Sequence, residues 1–279
     1  LIKKNEGGQR VTKVLLFQIG LDTGNQKKKP ISPVFEDNSF IYIPLVEEFN
    51  DNEDFGEDLL ELNQKILNPF IDFLGKEYKN YTEDEALTCH YDPCFNYGGE
   101  YSYADLLKNS KSHNLYKLNY GDYIFFCAVM CKMKKSDYFN CISSKMIKKI
   151  QNKSRKEYGL FKGIIGYFKI IQREIITRDS CKGYVNYVEN CFKNNAHIIR
   201  GDHKDEKKLK EIKGLILIKG DSKESKLLNK AIVFAKNKEV KKRYKVKKEF
   251  LPFFNSEKIS NRPYFFLNNS ERLLKLVIK

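Results

Sequence analysis

With 279 residues, 41% of them hydrophobic and 13% aromatic, the chain has ample apolar material for a packed interior, which excludes an intrinsically disordered class. Its 51 lysines and arginines against 36 acids give a formal charge of +15, which favours anionic partners, nucleic acid and nucleotides first, although an AT-rich genome would enrich lysine without functional cause. No window approaches the roughly 18 apolar residues that span a bilayer, and no signal pattern opens the chain, so a soluble cytoplasmic protein is expected.

Residues 1–12 have no periodicity and read as a disordered tail or vector-derived remnant, leaving 13–279 as a single composite α+β domain. KVLLFQIG, residues 13–20, predicts a strand opening into the loop DTGNQKKKPISP, and FIYIPL, residues 40–45, alternates as an edge strand would. From Asp54 to Tyr78 apolar residues fall at helical spacing, interrupted at Pro69. TCHYDPCFNYGGEYSY, residues 88–103, reads as an ordered loop leading to a short helix at 104–108. Next, a Gly121–Asp122 turn runs into Tyr123–Val129, too apolar for a surface strand and too short for a membrane helix, so a buried strand is predicted. Residues 132–158 read as a lysine-rich insertion with a helix at its end. FKGIIGYFKIIQREII, residues 161–176, is a second strand in which Gly163 and Gly166 predict a bulge or a close backbone approach. KGLILIKGDSKESKLLNKAIVFA, residues 213–235, predicts a buried strand, a Gly-Asp-Ser turn and an amphipathic helix, and a last helix is expected after Asn268 or Asn269.

Seven cysteines, Cys89, Cys94, Cys127, Cys131, Cys141, Cys181 and Cys191, form no CxxC pair and read as reduced thiols; no metal site is expected and no cofactor is indicated. His90 and Asp92 flank Tyr91 and would project to the same side of an extended loop, where they could orient each other for proton transfer; a capping histidine and an Asx turn before Pro93 explain them equally simply. His197, in NNAHIIRGDH, is either a core histidine or a base or phosphate contact alongside Arg200, whereas His113 and His203 lie in polar surroundings and read as solvated. Asp22 and Gly24 follow the first strand, where α/β architectures place ligand-facing loops. Gly220, Ser222 and Ser225 would lie at a helix start, where free N–H groups attract phosphate, or they form an ordinary cap. KKRYKVKKEFLPFF, residues 241–254, and NRPYFF, residues 261–266, interleave bases with aromatics that could stack on nucleobases or simply cover a core strand.

Two resemblances add to this reading. LNYGDYIFFCAV and FKGIIGYFKIIQREI resemble the paired core strands of PUA-like barrels, the group containing ASCH and EVE domains, which implies a mixed β-barrel with flanking helices. IGLDTG, SPVFEDNSFIYIPL, HYDPCF, LNYGDYIFFCAV, GIIGYFKI, NAHIIR, LILIKGDSKESKLLNKAI and NRPYFF, in that order, resemble the nucleotide-modification-associated domain 3 family, which is linked to DNA base modification systems. That resemblance implies site roles for Asp22, Gly24, His90, Asp92, Asp122, His197, Gly220 and Ser225. The chain departs from the family pattern at Cys94, where an acid is expected, and at Lys226, where an arginine is.

Together these features imply a protein that holds a nucleobase, nucleotide or modified DNA, DNA in preference to RNA. In the catalytic form of that reading His90 and Asp92 form the acid–base pair, Asp22 and His197 position the base, and Arg200, Gly24, Asp122, Gly220, Ser222 and Ser225 contact base or phosphate. A PUA-like reader without catalysis and a basic nucleic-acid-binding scaffold are the alternatives.

Overall fold

A computed structural model describes residues 10–19, 31–42, 45–47, 88–90, 92–140, 144–237, 243–260 and 264–278. The described strands are β1 (Val14–Gln18), β2 (Ser32–Val34), β3 (Leu45–Glu47), β4 (Thr88–His90), β5 (Cys94–Tyr97), β6 (Glu100–Leu106), β7 (Tyr123–Lys132), β8 (Leu160–Ile176), β9 (Leu215–Gly220), β10 (Lys226–Asn237), β11 (Tyr244–Val246), β12 (Lys258–Ile259) and β13 (Tyr264–Phe266). The helices are α1 (Lys135–Phe139), α2 (Ser144–Tyr158), α3 (Cys181–Cys191), α4 (Ala196–Ile199), α5 (Glu206–Ile212) and α6 (Ser270–Val277).

β7 and β8 form the spine. β7 is buried from Tyr123 to Cys131 because it has neighbours on both edges, parallel β1 and β2 on one and antiparallel β8 on the other. The Gly121–Asp122 turn fixes where this strand begins. Gly121 has φ of +83°, a conformation that a side chain would strain, and Asp122 accepts from Lys13 N at 3.0 Å and Asn119 N at 2.8 Å while pairing with Arg10 Nη2 at 2.7 Å. Its buried carboxylate thus ties the start of β1 to the start of β7 and also holds Arg10, which the sequence placed in the tail.

The glycines of β8 behave as their spacing predicts. Phe126 pairs with Gly166 but Cys127 with Ile164, which leaves Ile165 as an extra residue between two glycines. A Cβ at Gly166 would lie 2.5 Å from Phe95 Cε1 and 2.7 Å from the Lys226 carbonyl oxygen, and one at Gly163 would lie 2.9 Å from Met130 Sδ. The bend lets β8 carry β10 along its first half and β9 along its second, and β9 in turn carries β6 and β5. The result is a large, mainly antiparallel sheet of eleven strands among the described residues, and it does not close into a ring of hydrogen bonds.

Side chains fill what hydrogen bonds leave open. Tyr103 of β6 lies 5.1 Å from Phe17 of β1 and 5.5 Å from Phe126 of β7, and Phe95 of β5 packs edge-on to Phe126 and Phe168. The β5–β6–β9 arm therefore covers one face of the spine with an aromatic core. The opposite face of β1, β7, β8 and β10 is covered by α6 and by the 3-10 turn Lys248–Phe253, through Leu273, Val277, Phe250 and Phe253. A third apolar cluster joins β6, β8 and β9 to α3, α4 and α5 through Ala104, Leu217, Val188, Phe192 and Ile198.

Several expectations change. Residues 226–237 form strand β10, not an amphipathic helix, so Ser222 and Ser225 sit in a strand-to-strand turn with no helix dipole behind it. Residues 104–106 complete β6 and 107–108 turn away from it, so no helix begins there. Tyr244, Phe250, Phe253 and Phe254 are core side chains, which removes them from base stacking. Of the expected strand at 40–45, Phe40 forms an isolated bridge with Val34 and Leu45 opens β3, while residues 43 and 44 lie outside the described residues. The helices after residue 143 and after Asn269 are present as expected, although Asn269 donates from its side chain to the Pro252 carbonyl and does not cap α6 with it. The expected helix at 54–78 lies outside the described residues. Cys94, Cys127, Cys131, Cys181 and Cys191 are unbridged thiols. Among the described residues no helix is long and apolar enough to cross a membrane.

Candidate functional site

The site forms where the β5–β6 arm meets the segment between α3 and α5. Alternation along β6 sends Tyr101, Tyr103 and Asp105 to one face and Glu100, Ser102 and Ala104 to the other, where the helices pack. Asp92, at a cis Asp92–Pro93 peptide, extends its carboxylate to the backbone of β6, where Ala104 N donates to Oδ1 at 3.1 Å and Oδ2 at 3.2 Å. Asn195 Nδ2 donates to Asp92 Oδ1 and to Ser102 Oγ, each at 3.4 Å. The same Asn195 caps α4 by accepting from His197 N at 3.0 Å. One fully buried asparagine therefore fixes both the carboxylate and the histidine against β6.

His197 lies between two carboxylates. Its Nδ1 is 2.7 Å from Asp202 Oδ2 and its Nε2 is 3.7 Å from Asp92 Oδ2. Gly201, at φ of +71°, reverses the chain after α4 so that Asp202 N donates to the His197 carbonyl at 3.1 Å and its carboxylate returns to Nδ1. Asp202 also receives Arg200 Nη2 at 2.8 Å and Lys208 Nζ at 2.6 Å. Burial opposes ionisation of Asp202, but the hydrogen bond from His197 and the charges of Arg200 and His197 outweigh it and hold the carboxyl well below the usual carboxylate range. An ionised Asp202 favours a proton on His197 Nδ1, which Arg200 Nη2 also approaches at 3.1 Å, and leaves Nε2 facing Asp92.

Further along the same face of β6 lies Glu100, whose Oε2 accepts from Asn194 N at 3.1 Å. Desolvation raises its pKa above the ordinary value, against the hydrogen bonds from Ser102 and Asn194 and the charge of Lys219. Tyr42 Oη donates to the Asp92 carbonyl at 3.4 Å, and Tyr103 Oη donates to Asp105 Oδ2 at 3.3 Å. Burial pushes the Tyr103 phenol well up, so it is a neutral donor at every physiological pH. His203, expected to be solvated, is buried instead; desolvation lowers its pKa against the pull of Glu189, whose Oε1 lies 3.4 Å from Nε2.

Of the residues singled out in the sequence, Asp92, His197 and Arg200 come together, and Arg200 is directed at Asp202. His90 is placed by its backbone alone, opposite Leu45 in the β3–β4 pair. Asp22 and Gly24 lie outside the described residues. Asp122, Gly220 and Ser225 gather elsewhere, around β8: Asp122 and Gly220 flank Ile170, and Ser225 Oγ accepts from Lys169 N at 3.1 Å. A Cβ at Gly220 would lie 2.6 Å from Ser225 Oγ, so these two are fitted to each other, while Ser222 is exposed in the turn. Sequence reasoning missed Ser102, Asn195, Asp202 and Lys208. The Gly201–Asp202 step directly after HIIR was the available signal, because a glycine reversal returns the next side chain toward the histidine. Among the described residues no group of three or more His, Cys, Asp or Glu side chains is arranged to hold a metal ion.

The fold and this site define an α+β protein with a large open sheet, against which an imidazole is held between two buried carboxylates. The chain belongs to the family of nucleotide modification associated domain 3, whose model matches residues 13–263. Comparison with curated proteins and with solved structures gives no match.

Proposed function

We propose that this protein binds a nucleobase or nucleotide, free or within DNA, beside the Asp92–His197–Asp202 chain, and that His197 exchanges a proton with it during base modification or hydrolysis. The observation that carries this reading is the imidazole itself, fixed at Nδ1 by Asp202 with Nε2 turned toward Asp92. Asp92 then acts as the second acid–base group, and Arg200 and Lys208 keep Asp202 ionised. His90, two residues before Asp92, and Asp22 and Gly24, after β1, remain part of the proposal as base-positioning residues. So do Asp122, Gly220, Ser222 and Ser225, as a second locality near the backbone of a bound strand.

A second reading is favoured by the burial of His197, only 5% exposed. In it the same polar groups hydrogen-bond the edge of a flipped modified base and no reaction follows, as a PUA-like reader would do. The Gly121–Asp122 turn and the bulged β8 support a PUA-like relationship for the spine, within a described sheet that stays open. Measuring equilibrium binding and product formation on modified DNA, side by side, for wild type, His197→Gln and Asp92→Asn separates the two. The catalytic reading requires product lost with binding kept. Loss of both together favours the reader, and unchanged binding and product in both variants refutes the site.

A further inference from the structure

From the exposed side chains around residues 110–122, we infer a docking surface for single-stranded DNA, separate from the Asp92–His197 site. This segment, the 3-10 turn Ser110–Lys117 and the loop to Gly121, contains no acid from Leu106 to Gly121. It is not a loose loop. Arg173 Nη1 donates to the Leu118 carbonyl at 2.6 Å and also to that of Tyr116, Arg10 Nη1 to that of Tyr120 at 2.8 Å, and Lys13 Nζ to that of Lys117 at 3.2 Å. Asn114 Nδ2 donates to the Tyr264 carbonyl at 2.7 Å, which brings β13 to the same edge. Three other parts of the chain, residues 10–13, β8 and β13, therefore hold one surface in place.

That surface presents the two chemistries a single strand needs. Tyr120 is 72% exposed, and Tyr116 and Tyr264 are more than a third exposed, although the chain had core positions for large aromatics throughout β5–β8. Tyrosines held open on a rigid edge offer flat faces on which unpaired bases stack, which a duplex cannot use because its bases are already stacked. Beside them Lys13 and Lys117 are exposed and have no acidic partner among the described residues, while two carboxylates beneath the segment, Asp122 and Asp105, are buried and matched by Arg10 and Lys111. Net positive charge thus faces solvent where the tyrosines do. Phosphate contacts and base stacking need no 2′-hydroxyl, so nothing on this surface selects for RNA. The inference rests on the preceding reading only in that the target is a polymer and not a free nucleotide.

The test is fluorescence anisotropy with a fluorescein-labelled thymidine oligonucleotide and the whole chain, across a salt series. Binding is expected to weaken with salt. Tyr116→Ala/Tyr120→Ala is expected to bind about tenfold or more weaker, from the loss of stacking. Lys13→Gln/Lys117→Gln should lower the salt slope by roughly 1.4, at about 0.7 per phosphate contact on a single strand. Lys153→Gln, exposed on α2, is the control with unchanged binding, and all three variants should melt as wild type does. The inference is overturned if the tyrosine and lysine variants bind as wild type does, if Lys153→Gln loses as much, if duplex of the same length binds better, or if the matching ribo-oligonucleotide binds tenfold tighter. Absence of any oligonucleotide binding overturns it too, while binding of free deoxynucleotide that is sensitive to Asp92→Asn would leave the proposed function standing.

Discussion

Replacing Asp202 with asparagine keeps the shape of the side chain and removes the charge on which three donors converge. His197 Nδ1 at 2.7 Å, Arg200 Nη2 at 2.8 Å and Lys208 Nζ at 2.6 Å all meet this one carboxylate, which is 1% exposed. Removing one partner from a buried charge pair costs about 3–5 kcal/mol. Arg200 and Lys208 retain some access to water and can turn outward, which favours the lower end, about 3 kcal/mol. At roughly 2–4 °C per kcal/mol for a domain of this size, the melting midpoint should fall by about 6–12 °C in calorimetry. Because the folded-state pKa of Asp202 is depressed, its contribution is fully present above the unfolded value near 3.8 and is lost only as pH falls through the folded pKa. The difference between wild type and Asp202→Asn should therefore be constant across neutral and mildly acidic pH and shrink only in strong acid. Glu206→Gln, which breaks only solvent-screened pairs with Lys182 and Arg178, should leave the midpoint close to that of wild type. An Asp202→Asn protein that melts with wild type would refute the view that Asp202 anchors His197 as an ion.

Three further predictions concern the scaffold and the polar row. Gly166→Ala should cost well over 1 kcal/mol by denaturant unfolding, because its Cβ would meet Phe95 and the Lys226 backbone; stability within about 0.5 kcal/mol of wild type would contradict the close approach. Asp122→Ala should cost about 2–4 kcal/mol and release protection of the amides of β1 in hydrogen exchange, since Lys13 N and Asn119 N lose their acceptor; protection unchanged across Val14–Gln18 would contradict the tether. Glu100, with its pKa raised by burial, gives full stability while protonated in both states and loses it as pH rises from about 4.5 toward the folded pKa, so Glu100→Gln should flatten that decline; parallel pH–stability curves would count against it.

The spine was legible because its signals are local. The apolar run of β7, the Gly121–Asp122 turn and the paired glycines of β8 each follow from sequence alone, and each keeps its role in the fold. β10 was misread because Leu227, Leu228, Ala231, Ile232 and Ala235 satisfy a helical period, while the strand they form is interrupted twice by register shifts that break its alternation. Residues 104–106 continue β6 because β9 supplies the facing backbone, a long-range partner no local pattern reports. The aromatics of 244–254 interleave with lysine as a nucleic-acid contact would, yet Tyr244, Phe250, Phe253 and Phe254 all turn into the core while Lys245, Lys247 and Lys248 take the solvent side. In the site, Asp92 and His197 could be singled out as titratable residues in unusual surroundings. Asn195 could not, because an asparagine cap is common everywhere, and Asp202 was marked only by the glycine before it; the fold brings both onto the histidine.

The nitrogen-15 shifts of the His197 imidazole, recorded with and without deoxynucleotides and a short deoxyoligonucleotide, test the proposal most directly. Nδ1 should stay protonated throughout, held by Asp202, while Nε2 shifts on ligand addition in wild type and not in Asp92→Asn. If neither nitrogen responds to any of these ligands while the protein demonstrably binds one of them, the imidazole is a structural tie and the nucleobase lies elsewhere.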